Sequence, residues 1–272
     1  MNYSSENQNI DILAANTIRI LAADGVQEAN SGHPGMPMGM ADCAHVLWTK
    51  YLNFDPDDTK WISRDRFILS AGHGSMLLYS LLHLSGFNIS LDDLKSFRQW
   101  NSKTPGHPEY GHTAGVESTT GPLGQGFSNG VGMAIAANIM AERFNINNES
   151  LFGIHNIYAI VSDGDLMEGV TSEAASIAGH LGLGNIVYIY DDNGITIEGK
   201  TDLTFTENVE ERFNAYNWHT IRINGHNHKE IALAIDSGKN EINKPTLILA
   251  KTHIGFGSPN KQDDPGVHGA PL

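Results

Sequence analysis

Apolar positions along the chain follow two patterns. Ile12, Leu13, Ile18, Leu21 and Ala22 recur at helical spacing behind Asp11, a suitable N-cap, and predict a helix over 12–24 that Gly25 ends. A Gly/Pro-rich loop, Asn30-Ser31-Gly32-His33-Pro34-Gly35-Met36-Pro37, separates it from a second helix reaching about Tyr51. The other pattern is the short unbroken apolar run, which reads as a strand covered on both faces, because a half-exposed strand would alternate. Such runs lie at 66–70, 157–161, 186–190 and 246–250, with a further strand at 219–223. Helices predicted at 74–85, from the glycine cluster 121–126 to about Phe144, at 168–180 and at 228–238 fall between them. Strand, helix and strand in succession from 157 to 190 make a crossover, so the strands are parallel. The expectation is one α/β domain over 1–272, doubly wound, with a mostly parallel sheet and helices on both faces. The stretch 101–126 breaks this regularity, and so long a loop inside a compact domain is usually functional.

Composition narrows the function classes. With 40% hydrophobic and 18% charged residues the chain builds a packed core. Its 17 basic against 31 acidic side chains, a net −14, oppose nucleic-acid binding. An anionic ligand must therefore be met locally, by helix N-termini, a metal or a few placed basic groups. Cys43 is the single cysteine, which excludes an intrachain disulfide. The polar N-terminus lacks the order of a signal peptide, and no apolar run reaches the roughly 18 residues of a membrane span. The expectation is a soluble cytoplasmic protein with no membrane partner.

Ligands of an open parallel sheet sit beyond the carboxyl ends of its strands. Ser162-Asp163-Gly164-Asp165, Asp191-Asp192-Asn193-Gly194 and Lys251-Thr252-His253 follow three of the strands. Asp163 and Asn193, one βα unit apart, offer hard oxygens suited to Mg²⁺ or Ca²⁺; equally, they cap a helix and turn a corner. The loop 121–126 before a helix either cradles a phosphate or packs a tight turn. Of 13 histidines, His33, His73, His107 and His268 lie in Gly/Pro-rich loops, where proton transfer and hydrogen bonding to ligand oxygens explain them better than packing. His83, His180 and His219 read as structural. No pair has the His-x-x-x-His or Cys-x-x-Cys spacing of a zinc site.

Ser31-Gly32-His33-Pro34-Gly35, Gly72-His73-Gly74, Thr104-Pro105-Gly106-His107-Pro108-Glu109, Thr119 to Gly126, Asp163-Gly164, Tyr190 to Thr196 and His268-Gly269-Ala270-Pro271-Leu272, taken together, resemble the N-terminal, diphosphate-binding module of the transketolase family. The resemblance implies thiamine diphosphate with Mg²⁺, or Ca²⁺ or Mn²⁺ as substitutes. Asp163, Asn193 and the carbonyl of Ile195 would hold the metal, and His73, Gly121, Leu123, Gly164, Asn193 and His268 would contact the cofactor. It further implies catalytic roles for His33, His73, His107 and His268, and sugar-phosphate contacts from His33, Arg98, His107 and His268. Arg98 would lie near the substrate phosphate, and Glu168 and Glu173 at a subunit interface; as plain helix residues they would be a solvated arginine and first-turn acids. The family's usual Gly-Asp-Gly is Ser162-Asp163-Gly164 here, a change confined to the turn.

Full-length members continue past His-Gly-Ala-Pro-Leu into a pyrimidine-binding module carrying the cofactor-activating glutamate, whereas this sequence ends at Leu272. The resemblance therefore implies half an active site, as one subunit of a split-gene transketolase or as a fragment. The fitting assembly is a two-plus-two heterotetramer with a complementary chain, or else a homodimer. Two other readings share part of the pattern. A 2-oxo acid dehydrogenase or deoxyxylulose phosphate synthase component has the Asp163-to-Asn193 logic without the Thr104–Glu109 and His268–Leu272 segments, and a silent cofactor-binding module needs no loop histidines.

Overall fold

The computed structural model describes residues 5–144 and 153–272. Its strands are β1 (Arg66–Leu69), β2 (Ile157–Ser162), β3 (Ile186–Asp192), the two-residue strands β4 (Ile195–Thr196) and β5 (Gly199–Lys200), β6 (His219–Asn224) and β7 (Thr246–Lys251). Five of them form one sheet in the order β1-β2-β3-β7-β6, every pairing parallel. One row across it reads Leu69, Ile160, Ile189, Ile248, Ile221. β4 and β5 make a small antiparallel hairpin beyond the end of β3.

The helices are α1 (Ser5–Ala29), α2 (Gly35–Lys50), α3 (Ser75–Leu84), α4 (Leu91–Lys95), α5 (Gln125–Phe144), α6 (Asp163–Met167), α7 (Gly169–Leu181), α8 (Val209–Ala215) and α9 (His228–Asn240). Side chains alternate across the sheet because successive strand residues point to opposite faces. Leu69, Ile160, Ile189 and Ile248 pack under α1, α2, α3 and α9. Ile68, Ala159, Tyr188 and Leu247 pack under α5, α7 and α8. The doubly wound arrangement expected from the unbroken apolar runs is the one observed. An aromatic group stiffens the second face: Phe127 meets Tyr188 edge-on at 4.9 Å and Trp218 lies 5.2 Å from Phe213. The polar edges of these rings are satisfied, Trp218 Nε1 donating to Ala175 O at 2.8 Å and Tyr188 Oη to Phe127 O at 3.0 Å.

Helix ends depart most from the sequence reading. Asp11 does not cap α1, which begins six residues earlier; its carboxylate instead meets His45 Nε2 at 3.0 Å and Lys50 Nζ at 3.1 Å. Gly25 does not end it either, because a Cβ there would come within 2.4 Å of Met76 Cε, so glycine serves close packing. The helix ends at Asn30, whose φ of 47° and the bonds Asn30 N to Gln27 O and Ser31 N to Val26 O close the last turn. Ile12 and Leu13 are exposed; the buried stripe is Ala15, Ile18, Ala22 and Val26, with Arg19 among them. The helix expected over 168–180 is α7, and the short α6 precedes it, the two separated at Glu168. His180 faces solvent, whereas His83 and His219 hydrogen-bond Ile89 O and Thr246 Oγ1. Among the described residues no helix is long and apolar enough to cross a membrane.

Phe127→Ala, which removes a fully buried ring from the centre of the aromatic group, is expected to cost about 3–5 kcal/mol in denaturant unfolding.

Candidate active site

The carboxyl ends of β1 and β2 and the glycine loop before α5 are fastened together by a side chain that the sequence reading passed over. Ser162 and Asp165 form a capping box: the Ser162 hydroxyl accepts from Asp165 N, and the Asp165 carboxylate accepts from Ser162 N at 2.9 Å. Ser162 has φ −114°, so nothing in the turn requires the glycine it replaces. Asp165 also reaches across, accepting from Ser70 Oγ at 2.7 Å and Gly124 N at 2.8 Å. Ser70 Oγ in turn accepts from Phe127 N at 2.9 Å. The carboxylate thus ties the end of β1, the glycine loop before α5 and the end of β2. Burial pushes its pKa up, and these hydrogen bonds pull it back. The Ser-x-x-Asp spacing was the signal available in the sequence; its partners at Ser70 and Gly124 were not.

Asp163 points into the same region. Burial raises its pKa to about 7, against the pull of a hydrogen bond from the Tyr190 hydroxyl and with the repulsion of Asp191 and Asp192. Asp191, completely enclosed, is raised to about 6 by burial, while Thr252 and Asn193 donate to it. Asn193 gives its amide N–H to Asp191 at 2.8 Å and accepts from Ile195 N at 2.8 Å, leaving one lone pair on its oxygen. Ile195 begins the β4–β5 hairpin, which sets its backbone beside Asn193. A crowded group of buried carboxylates and an amide oxygen is a donor set that fits a hard divalent cation.

Next to it the loops interlock. Gly164 lies against Leu123, whose Cδ1 would be 2.9 Å from a Cβ there. Gly72, before His73, packs on Thr120 and Gly121 so closely that a Cβ would stand 2.6 Å from Thr120 Oγ1. Gly121, at φ 141°, borders the His107 ring. The His107 segment is pinned from α3, Tyr79 Oη donating to Pro105 O at 2.9 Å and Ser75 Oγ to Gly106 O at 2.9 Å. His107, Gly121 and Pro122 line one wall of an open cleft. Across the loops, His33, His73 and His268 form a triangle with ring centroids 5.2, 5.6 and 5.0 Å apart. Arg98 donates to Ser31 Oγ at 2.8 Å and stands 3.5 Å from His33 Nδ1. Glu168 and Glu173, by contrast, are exposed on the surface around the start of α7.

Burial holds all four imidazoles below their ordinary pKa: His33 at about 4, helped by His268, Arg98 and His107, and His73, His107 and His268 in the same direction. At neutral pH they are neutral donors and acceptors rather than cations. Arg98 supplies positive charge at their edge.

The family described as "Transketolase, thiamine diphosphate binding domain" matches residues 10–272. The chain belongs to the transketolase family. It is 57% identical over 265 residues to the transketolase of Geobacillus stearothermophilus, covering 97% of this chain and 40% of that protein. It is 57% identical over 257 residues to that of Bacillus subtilis, covering 94% and 38%. A crystal structure of a Pichia stipitis transketolase in complex with a sedoheptulose phosphate superposes with a TM-score of 0.94 at 51% identity, over 97% of this chain and 39% of that one. The Campylobacter jejuni transketolase superposes at 0.92 with 49% identity, over 100% and 41%. The chain thus spans about two fifths of the length of these transketolases.

Two outcomes are expected of this transketolase module. Asp165→Asn sets an amide N–H₂ against the donors of Ser70, Gly124 and Ser162 and lowers stability by about 1–3 kcal/mol, read by thermal melting. An imidazole kept neutral in the fold binds fewer protons than in the unfolded chain, so the His33 contribution is intact above pH 6.5 and is lost as the pH falls towards about 4. NMR titration of the His33 ring, with its midpoint at about 4, checks the cause.

Proposed function

We propose that this chain supplies the diphosphate-binding half of a transketolase active site, in which a two-carbon ketol unit passes reversibly from a ketose phosphate to an aldose phosphate with thiamine diphosphate and Mg²⁺. The observation that carries the reading is the junction of the buried carboxylate group around Asp163 with the histidine triangle, through the contacts Gly164–Leu123 and Gly72–Gly121. A phosphate-binding module without turnover has no use for three neutral imidazoles stacked against its glycine loops.

Asp163, the amide oxygen of Asn193 and the carbonyl of Ile195 would hold Mg²⁺, or Ca²⁺ or Mn²⁺ in its place. Gly121, Leu123, Gly164, Asn193, His73 and His268 would take the cofactor, the glycines leaving room for backbone N–H groups to approach the diphosphate. Thiamine diphosphate, when bound, supplies a stabilised carbanion. The chain's own residues do the rest. Neutral His33, His73, His107 and His268 donate hydrogen bonds to hydroxyl and carbonyl oxygens and accept a proton from a donor hydroxyl, a task for which a neutral imidazole is the competent form. Arg98 meets the substrate phosphate, an anion that the net charge of −14 would otherwise repel. Residues 1–272 act as one module, and a complementary pyrimidine-binding region, on a separate subunit or on a longer form of the chain, completes the site. Two copies of each give the assembly, with a homodimer as the simpler form.

The test is ketol transfer from xylulose 5-phosphate to ribose 5-phosphate, with Mg²⁺ and thiamine diphosphate, by the chain alone and with a polypeptide carrying the remaining three fifths of a transketolase. Activity only in the mixture is expected, and activity of the chain alone would overturn the half-site reading. In the assembled enzyme His107→Ala lowers kcat by about 10²–10⁴ with an unchanged circular dichroism spectrum. Asp163→Asn abolishes the Mg²⁺-dependent change in tryptophan fluorescence on cofactor addition.

A further inference from the structure

Three helices bring a second set of metal-binding side chains together, none of them part of the site above. Asp11 on α1, His45 on α2 and His228 at the start of α9 each offer one ligand atom, and the three atoms lie within 4.8 Å of one another, the one group of this kind among the described residues. His45 Nε2 and Asp11 Oδ1 are 3.0 Å apart, and the two imidazole centroids 5.6 Å apart. The side chains are 4%, 15% and 18% exposed for His45, Asp11 and His228, so the group is enclosed but open on one side. A further carboxylate stands behind it: Asp42 Oδ1 lies 2.9 Å from His228 Nε2, while its Oδ2 holds Arg19 at 2.7 Å and His226 at 2.9 Å. Carboxylates in that outer position orient metal-binding imidazoles.

We propose that Asp11, His45 and His228 form a site for a transition-metal dication of the Zn²⁺ class, which clips α1 and α2 to the start of α9. Two nitrogens and one oxygen with a water in the fourth position make a coordination set such ions adopt. The metal takes the place of the hydrogen bond between His45 Nε2 and Asp11, and the neutral His45 ring carries its one proton on Nδ1 instead. Lys50 remains on Asp11 Oδ2, 3.1 Å away, and Arg19 on Asp42, so both carboxylates are already compensated and the affinity rests on the imidazoles. That selects Zn²⁺, Co²⁺ or Ni²⁺ over Mg²⁺ and Ca²⁺, which need several more oxygens. No local motif announces the site, because its three positions come from distant parts of the chain.

Co²⁺ titrated into the purified chain with excess Mg²⁺ tests it, the readouts being the visible absorption of four-coordinate Co²⁺ and the melting temperature. Saturable absorption with a rise in melting temperature is expected. His45→Ala and His228→Gln should each weaken binding by at least about tenfold, while Asp163→Asn and His73→Asn leave it in place. His228→Gln, at the first turn of α9, keeps the test valid where loss of the buried His45 unfolds the chain, and circular dichroism reports the fold of each variant. No saturable absorption in the parent chain, or Co²⁺ binding of unchanged affinity in folded His228→Gln, overturns the proposal.

Discussion

The carboxyl ends of β1 and β2 and the glycine loop before α5 rest on a carboxylate taken out of water. Asp165 has no solvent exposure, and an ion in that position is tolerated only because Ser70, Gly124 and Ser162 all donate to it. These donors belong to the ends of two strands and to the glycine loop, so the hydrogen bonds that pay for the burial also fix the distance between those three pieces. The Asp163 turn and the Leu123 loop, pressed on each other through Gly164, inherit that spacing. A rigid frame of this kind lets loops with little regular structure hold a constant shape.

Electrostatics at the site are local. The chain as a whole is strongly acidic, yet the histidine triangle is uncharged because each ring is shielded from water and from protonation by its neighbours. Two adjoining zones result, one rich in carboxylates and able to receive a cation, the other neutral and able to exchange protons. Arg98 sits at the far side of the second zone.

The sheet was legible because strands buried on both faces have nothing but apolar residues to write with, and 157–161, 186–190 and 246–250 did so. Helix ends were not, since tertiary partners outbid local preference: Asp11 went to His45 and Lys50, and Gly25 to Met76. α4, α8 and the β4–β5 hairpin are too short for a periodic signal. At the site, the loop histidines and Asp163 stood out by their glycine-rich setting and by family resemblance. Their supports did not, because Ser70 and Asp165 are 95 residues apart, Tyr190 and Asp163 27, and Thr252 and Asp191 61. Spacing along a chain is silent about hydrogen bonds that close over such lengths.

The strand order carries a consequence for how the chain is made. β7, last in sequence, lies between β3 and β6, and β6 has no other neighbour in the sheet. As the polypeptide leaves the ribosome, β3 therefore keeps an open edge and β6 stays unpaired until residues 246–251 emerge. Unpaired parallel strands are slow to find their place and ready to pair wrongly with other chains. The emergence of residues 246–251 joins β6 to β3 and completes the five-stranded sheet.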